Sequence, residues 1–407
     1  MNEFFQVLSI EEVLSFKEQF TLVSHETVGL DRALGRVLVD AITAPADIPG
    51  FDRATMDGFA VKSGSTFGAS ESNPAYLEVV GNVQMGSAPG FKIEAGQAAR
   101  IPTGGMLPAG ADAVVMIEHT DAIDGNTVEI HRSVAPGQHM VARDEDVPQG
   151  RVVLPAGCRL RPQHIGMLAA VGCCEVEVYR RPQVGIISTG DEVLPPDRIP
   201  GPGQVRDINT HTLRALTDVA GADATGYGIV GDDAASLFAT CEKALAENDM
   251  VLVSGGSSVG MRDLTYEALK ALPQSSILVH GVSIRPGKPT ILARCGEKAF
   301  WGLPGHVTSA MIVFMVLVRP YLDHIGGSQA NFRRTVKARL TRNLPSVQGR
   351  VDFVRVRFET LDGELLAEPI IGQSGLINTM VSADGLVAVG KNSEGLDKGA
   401  LADVLPI

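Results

Sequence analysis

The chain has 407 residues, of which 44% are hydrophobic and 20% charged, and it carries a formal net charge of −12. That length supports about two to four domains with cores of their own, and that charge argues against nucleic acid or an anionic membrane as a partner. An anionic substrate must therefore meet a local basic cluster or a bound cation. Cys158, Cys173, Cys174, Cys241 and Cys295 show no CxxC spacing, and an odd number fits poorly with a disulfide framework. The nine histidines form no HExxH array. The opening MNEFFQVLSIEEVLSFKEQF carries acids through its apolar positions, unlike a secretory signal. The longest apolar run, 310–318, is too short to span a bilayer. A cytoplasmic protein with reduced thiols is expected.

Residues 9–20 predict an amphipathic helix, with Ser9 and Glu12 spaced as a capping box. From about 50 to 146, short β-type runs (YLEVVGNV, ADAVVMIEHT, NTVEIHRSV) alternate with turn signals such as Asp124-Gly125 and Pro136-Gly137. No helical period is present, so this stretch predicts a small inserted β-rich domain. It interrupts a split N-terminal domain, 1–49 and 147–176, the second piece holding a short helix at QHIGMLAAVG; helix 9–20 is free to pack elsewhere.

Between 177 and 327 strands and helices alternate. Strand 183–188 precedes helix 210–220, in which Leu213, Leu216 and Thr217 share a face and Asn209 is the expected cap. Strand 225–230 precedes helix 233–246, with Leu237, Phe238, Cys241, Ala244 and Leu245 on one stripe. Strand 249–254 leads into a glycine-serine loop and helix 264–272, and two further strands precede an apolar helix at 307–322. This order predicts a doubly wound, mostly parallel α/β sheet with its ligand at the carboxyl edge of the strands. From 328 to 407 β patterning returns, with Asp362-Gly363 as a hairpin turn, predicting a second, smaller β-domain.

The loops after successive strands should meet at one rim. They are STGDEVLPP, VGDD, SGGSSVGMRD, IRPGKP and GLPGHVTS. Gly255 and Gly260 have P-loop spacing, but Met261-Arg262 stand where such a loop needs Lys followed by Ser or Thr, which argues against γ-phosphate transfer. Asp191, Glu192, Asp232, Asp233 and Asp263 suit an oxygen-coordinated divalent cation. Arg285 and Lys288, held three residues apart between prolines, repel each other unless an anion lies between them. Each element also has a local explanation: Asp263 stands where a helix N-cap belongs, Asp232 or Asp233 likewise caps the next helix, and Gly255-Gly256 fits a tight turn. Together they describe a site for a magnesium-bound pyrophosphate and a second oxyanion, where cleavage or exchange occurs at a pyrophosphate already attached to something.

The motifs STGDE (188–192), SGGSSVGMRD (254–263), RPGKP (285–289) and GLPG (302–305) resemble the molybdenum-cofactor-binding domain of several molybdopterin proteins. With TMDGFAV (55–61), RIPTGG (100–105) and EDV (145–147), the chain resembles, over essentially its whole length, the molybdopterin molybdenumtransferases, MoeA in bacteria, related to the gephyrin E domain. The resemblance implies a C-terminal β-barrel and an elongated homodimer whose active site crosses the interface. It implies a reaction that takes molybdate and adenylylated molybdopterin to molybdenum cofactor and AMP, with Mg²⁺. It further implies that Asp57, Thr103, Asp146, Glu192, Asp233 and Asp263 are the catalytic set, with Glu192, Asp233 and Asp263 holding Mg²⁺. Gly255, Gly256, Ser258, Arg285, Lys288, Ser309, Arg355 and Ser374 become the substrate and oxyanion contacts. Expected partners are a molybdopterin adenylyltransferase and later cofactor-handling proteins. Two departures stand out: His306-Val307 where the family usually has Asn-Pro, and Arg285 for a lysine, a planar fork in place of a point charge. Adenylyl transfer to molybdopterin and a non-catalytic carrier or scaffold are the competing readings.

Overall fold

The structure is a computed structural model that describes residues 7–255, 259–329 and 335–407, and for 259–263 the backbone alone. The chain divides into two compact units: Ala41–Pro155 with Pro162–Glu175, and Met1–Asp40 with Ala156–Arg161 and Val176–Ile407. The inserted region thus recruits strands Ile42–Thr43 and Val152–Leu154 and helix Pro162–Ala170 to its own unit.

In the inserted unit, a six-stranded sheet runs in the order Ala113–Met116, Gly58–Val61, Gln97–Ile101, Ala75–Asn82, Thr127–Ile130, Thr120–Ala122. Strand alternation supplies two cores. Phe59 and Val61 pack with Leu77, Val115, Val128 and Ile130, while Ala60 turns to the other face with Ile101, Val114 and Leu107.

In the second unit the capping box forms as the sequence predicts: Ser9 Oγ accepts from Glu12 N, and Glu12 reaches back to Ser9 N. Ile10, Val13 and Phe20 of this segment pack into the core of the doubly wound sheet. That sheet is built from β1 (Gln183–Thr189), β2 (Asp223–Val230), β3 (Met250–Ser254), β4 (Ser275–His280), β5 (Ile291–Cys295) and β6 (Lys298–Leu303). Its order is β2-β1-β3-β6-β5-β4, parallel except at β5. Helix α1 (Asn209–Val219) places Leu213 on one face, against Val184, Ile186 and Leu252. Helices α2 (Ala234–Glu247) and α3 (Val259–Ala271) cover the other, where Leu237, Cys241 and Leu269 meet Ile187, Val251 and Val253. Three strands rather than two therefore follow α3.

Helix α4 (Val307–Val313) runs through a π-turn into helix Arg319–Ile325. The whole of Val307–Ile325 is long and apolar enough to cross a membrane, more than the nine-residue run alone implies, but 67% of it is buried inside the protein. Its Phe314, Leu317, Val318 and Tyr321 fill the core beneath the sheet.

The C-terminal region closes as a five-stranded barrel. Strands β7 (Val336–Leu340), β8 (Val351–Leu361), β9 (Glu364–Pro369), β10 (Gly385–Val389) and β11 (Leu401–Pro406) pair in the ring β8-β9-β7-β11-β10 and back to β8. The Asp362-Gly363 turn has both residues at positive φ, 51° and 80°, and joins β8 to β9. Such a turn matches the twist of its hairpin. The short segment Ile284–Arg285 pairs in parallel with the start of β8, so the loop between β4 and β5 reaches the barrel.

Candidate functional site

The sheet topology brings five loops to one carboxyl edge, since β1, β2, β3 and β6 are parallel and β4 ends beside the start of β5. These are the loops anticipated from the sequence. The edge is tightly built: a Cβ on Gly255 would lie 2.0 Å from Thr189 Oγ1 and 2.5 Å from Thr189 O, and its φ of +151° further favours glycine.

The acids separate into two kinds. Asp233 is the N-cap of α2, its Oδ2 accepting from Ser236 N at 2.8 Å, and the Ser236 contacts hold its carboxyl below the usual range. Asp191 Oδ1 accepts from Asp232 N at 2.9 Å, tying the β1 loop to the β2 loop. Burial first, then the charges of Asp191 and Glu192, push the Asp232 carboxyl up. Of the two adjacent acids it is thus Asp232, not Asp233, that shares its field with Asp191 and Glu192. This crowded set of hard oxygen donors fits a divalent cation in kind. Among the described residues no three His, Cys, Asp or Glu side chains are placed to hold a metal by themselves. The Asp263 side chain, Gly256 and Ser258 lie outside the described residues.

The cations separate too. Arg285 stands 3.7 Å from Asp352 Oδ2, a buried carboxylate that also accepts from Arg350 Nε at 2.8 Å. The counter-anion that the Arg285/Lys288 spacing called for is therefore in part supplied by the barrel. Lys288 is exposed and forms no ion pair among the described residues, leaving its ammonium available at the rim.

The barrel contributes a loop to the same edge. Ser374 Oγ lies 2.9 Å from His306 Nδ1, and Ser374 O accepts from Thr308 N at 3.1 Å and from Thr308 Oγ1 at 2.6 Å. Arg355 supports that loop from below, donating to Thr379 Oγ1 at 2.7 Å and Gly372 O at 2.6 Å. Its guanidinium is buried, which lowers its pKa. Ser309 is buried in the first turn of α4. Neither Arg355 nor Ser309 faces solvent at the rim, whereas Ser374 does reach it.

Three further residues stand at this edge. Asp207 Oδ1 accepts from Ser188 Oγ at 3.2 Å and Thr210 N at 3.1 Å, so it performs the capping expected of Asn209. Asn209 instead donates its Nδ2 to Gly305 O at 2.8 Å. Asp207 stands three residues before Thr210, the spacing of a side-chain cap, and that was the available signal. Ser254 closes β3 inside the SGGSSVGMRD motif and is fully buried.

In the inserted unit, Asp57 Oδ1 accepts from Thr103 N at 2.6 Å. The Thr103 amide, then its hydroxyl, hold the Asp57 carboxyl below the usual range. Both residues are exposed. The loop needs Gly58 next door, because a Cβ there would lie 1.9 Å from Val115 O. Asp146 is exposed, with its backbone N bonded to Ile48 O at 3.1 Å. Segment 47–57 carries partners for both flanks: Arg53 pairs with Met106 and Val141, and Ile48 with Val147.

A doubly wound sheet with an acid- and cation-bearing carboxyl edge, joined to a closed barrel and an inserted β-unit, defines a multidomain α/β protein built to handle an anionic ligand. Residues 8–172 match the family described as MoeA N-terminal region (domain I and II), 185–324 a probable molybdopterin binding domain, and 337–407 the MoeA C-terminal region (domain IV). The chain is 32% identical over 389 residues to the molybdopterin molybdenumtransferase of Bacillus subtilis, covering 94% of this chain and 90% of that one. It is 36% identical to that of a Nostoc species over 342 residues, covering 83% and 78%. The crystal structure of a molybdopterin biosynthesis MoeA protein from Pyrococcus horikoshii superposes with a TM-score of 0.84 at 31% identity, covering 99% of this chain and all of that one. The chain belongs to the MoeA family of molybdopterin molybdenumtransferases.

Proposed function

We propose that this protein inserts molybdate into adenylylated molybdopterin, cleaving the pyrophosphate bond and releasing AMP and molybdenum cofactor. As a transferase of molybdenum cofactor biosynthesis, it needs a site that tolerates a diphosphate and an oxyanion together. The observation that carries the reading is the carboxyl edge, where Glu192, Asp191 and Asp232 crowd together and the Lys288 ammonium is free of ion pairs among the described residues.

Glu192 and Asp232 are the residues that would hold Mg²⁺, completed by diphosphate oxygens, since that ion commonly takes one or two carboxylates plus phosphate. Bound there, Mg²⁺ supplies charge neutralisation on the diphosphate. Lys288 binds the oxyanion end as a compact point charge. Asp57, kept ionised by Thr103, is too weak a base to take a proton outright at neutral pH. It orients a water on the adenylyl phosphorus; as the new P–O bond forms, the bond to the bridging oxygen breaks, that oxygen stays with the molybdopterin phosphate, and AMP is released carrying the oxygen of the water. The inserted unit that presents Asp57, Thr103 and Asp146 belongs to a second copy of the chain, so the working form is a homodimer. The protein acts in the cytoplasm, between a molybdopterin adenylyltransferase and proteins that carry the finished cofactor onward.

The test is AMP release from adenylylated molybdopterin on addition of molybdate and Mg²⁺, with the oligomeric state followed by light scattering. The expected result is AMP in stoichiometric yield from a dimer. A folded dimer that releases none overturns the reading.

A further inference from the structure

At the opposite end of the doubly wound sheet, where β1 and β2 begin and α1 ends, four arginines line one small cavity: Arg36, Arg159, Arg180 and Arg181. The space it leaves for the centre of a water-sized body is about 10 Å³, enough for one. Among the described residues no carboxylate lines it.

The charges around it do not balance. Glu26 pairs with Arg36, Asp249 with Arg180 and Asp223 with Arg181, while Asp323 serves both Arg159, at 2.9 Å, and Arg319, at 3.8 Å. Five cations share four carboxylates, which leaves one positive charge over. Arg159 feels the crowding: burial lowers its pKa, Asp323 opposes, and the charges of Arg319 and Arg181 lower it further. Arg36 is the deepest of the four, 9% exposed. Its Nη2 donates to Glu26 Oε1 at 2.5 Å and to Tyr179 O at 2.9 Å. Its Nη1 donates to no protein atom among the described residues, and its Nε is buried without a partner. A buried guanidinium short of acceptors is unfavourable, and folded proteins keep few such groups.

The size of the space narrows what could answer that charge. Its wall is tight, since a Cβ on Gly221, whose φ is +84°, would lie 2.4 Å from Arg159 Nη1. A water fills the volume and leaves the charge unanswered. A tetrahedral oxyanion carries four oxygens and has to part the walls. A single spherical monovalent anion meets both conditions.

We propose that this cavity is a chloride site, one halide held among the guanidiniums of Arg36, Arg159, Arg180 and Arg181. It lies away from the carboxyl edge and is independent of the reaction there. Because the folded chain alone assembles the four arginines, the ion stabilises the fold by mass action.

The test pairs two measurements on the full-length protein. Crystals grown with sodium bromide in place of chloride are read by anomalous diffraction, and melting temperatures are compared in sodium chloride and sodium gluconate at equal ionic strength. A bromide peak is expected in the cavity, with melting about 2 °C higher in chloride. Arg181→Gln removes the most exposed of the four cations, whose ion pair with Asp223 is 3.5 Å long, so folding should survive. That variant should lose both the bromide peak and the chloride effect. Arg357→Gln, which takes an exposed arginine from the barrel, should keep both. Water alone in the cavity, sulfate there in place of bromide when the crystal is given both, or a chloride effect that survives Arg181→Gln would overturn the proposal.

Discussion

Asp57 in the inserted unit and Asp233 on the doubly wound sheet make the same bond to different ends. Each carboxylate accepts a backbone N–H, at 2.6 Å from Thr103 and 2.8 Å from Ser236, and each is held below the usual carboxylate range by its partner. The Asp233 bond spans three residues and starts a helix, a duty that asparagine performs equally well. The Asp57 bond spans 46 residues and ties two loops at one end of a sheet, with the carboxylate in solvent. A cap needs an acceptor and no charge. A long-range lock with an exposed carboxylate keeps a negative charge in a fixed place, which chemistry can use.

The largest expected effects probe the frames in which these acids sit. Gly58→Ala drives a Cβ to within 1.9 Å of a sheet carbonyl and should destabilise the protein by about 3 kcal/mol in urea denaturation. Gly255→Ala, aimed at Thr189, should cost about 2 kcal/mol and open the β1–β3 crevice, lowering AMP release as well. Wild-type stability in either variant would contradict the tight edges described here.

The acids themselves come next. Asp57→Asn should reduce AMP release by about 100-fold with little change in melting temperature. Asp233→Asn should stay within about threefold of wild type, while Asp233→Ala loses about 1 kcal/mol of stability through the lost cap. If Asp233→Asn abolished turnover, the distinction between cap and site would fail.

Asp232 supplies a pH test of opposite sign. Its folded-state pKa is raised, so ionising it opposes folding, and that penalty is absent below the unfolded value and complete once pH rises above the folded one. Asp232→Asn should therefore raise the melting temperature at pH 7 without added Mg²⁺ and leave it unchanged near pH 3. For Asp57 and Asp233 the sense reverses: their contribution is present above the unfolded pKa and lost as pH falls through the lowered folded one. The smallest effect belongs to Ser374→Ala, which removes a hydroxyl contact with His306 and should cost about 0.5–1 kcal/mol or less.

Local signals in the sequence carried the most reliable information. The Ser9/Glu12 box, the Asp362-Gly363 turn and the stripe of Leu237, Cys241 and Ala244 each follow from spacing within a few residues. Strand alternation placed the five loops on one rim, because parallel strands share a carboxyl edge. What spacing cannot carry is a partner far along the chain. Asp352 pairs with Arg285 only because Ile284–Arg285 joins the barrel, and Ser374 meets His306 only because a barrel loop lies against α4. Arg355 stands among the oxyanion contacts that the resemblance implies, and its bonds to Gly372 O and Thr379 Oγ1, 17 and 24 residues on, lie beyond what spacing can show. The Asp207 cap on Thr210 is legible in spacing, but its bond to Ser188, 19 residues away across a loop, is not.

The central claim is that the carboxyl edge of the doubly wound sheet receives the diphosphate and the oxyanion. The direct measurement is a crystal structure of the protein soaked with adenylylated molybdopterin, Mg²⁺ and molybdate. The account predicts the diphosphate over the ends of β1 and β3, with Lys288 on its oxygens and Glu192 with Asp232 on the cation. Ligand density seated away from that edge, with Lys288 and Glu192 still facing solvent, would contradict it.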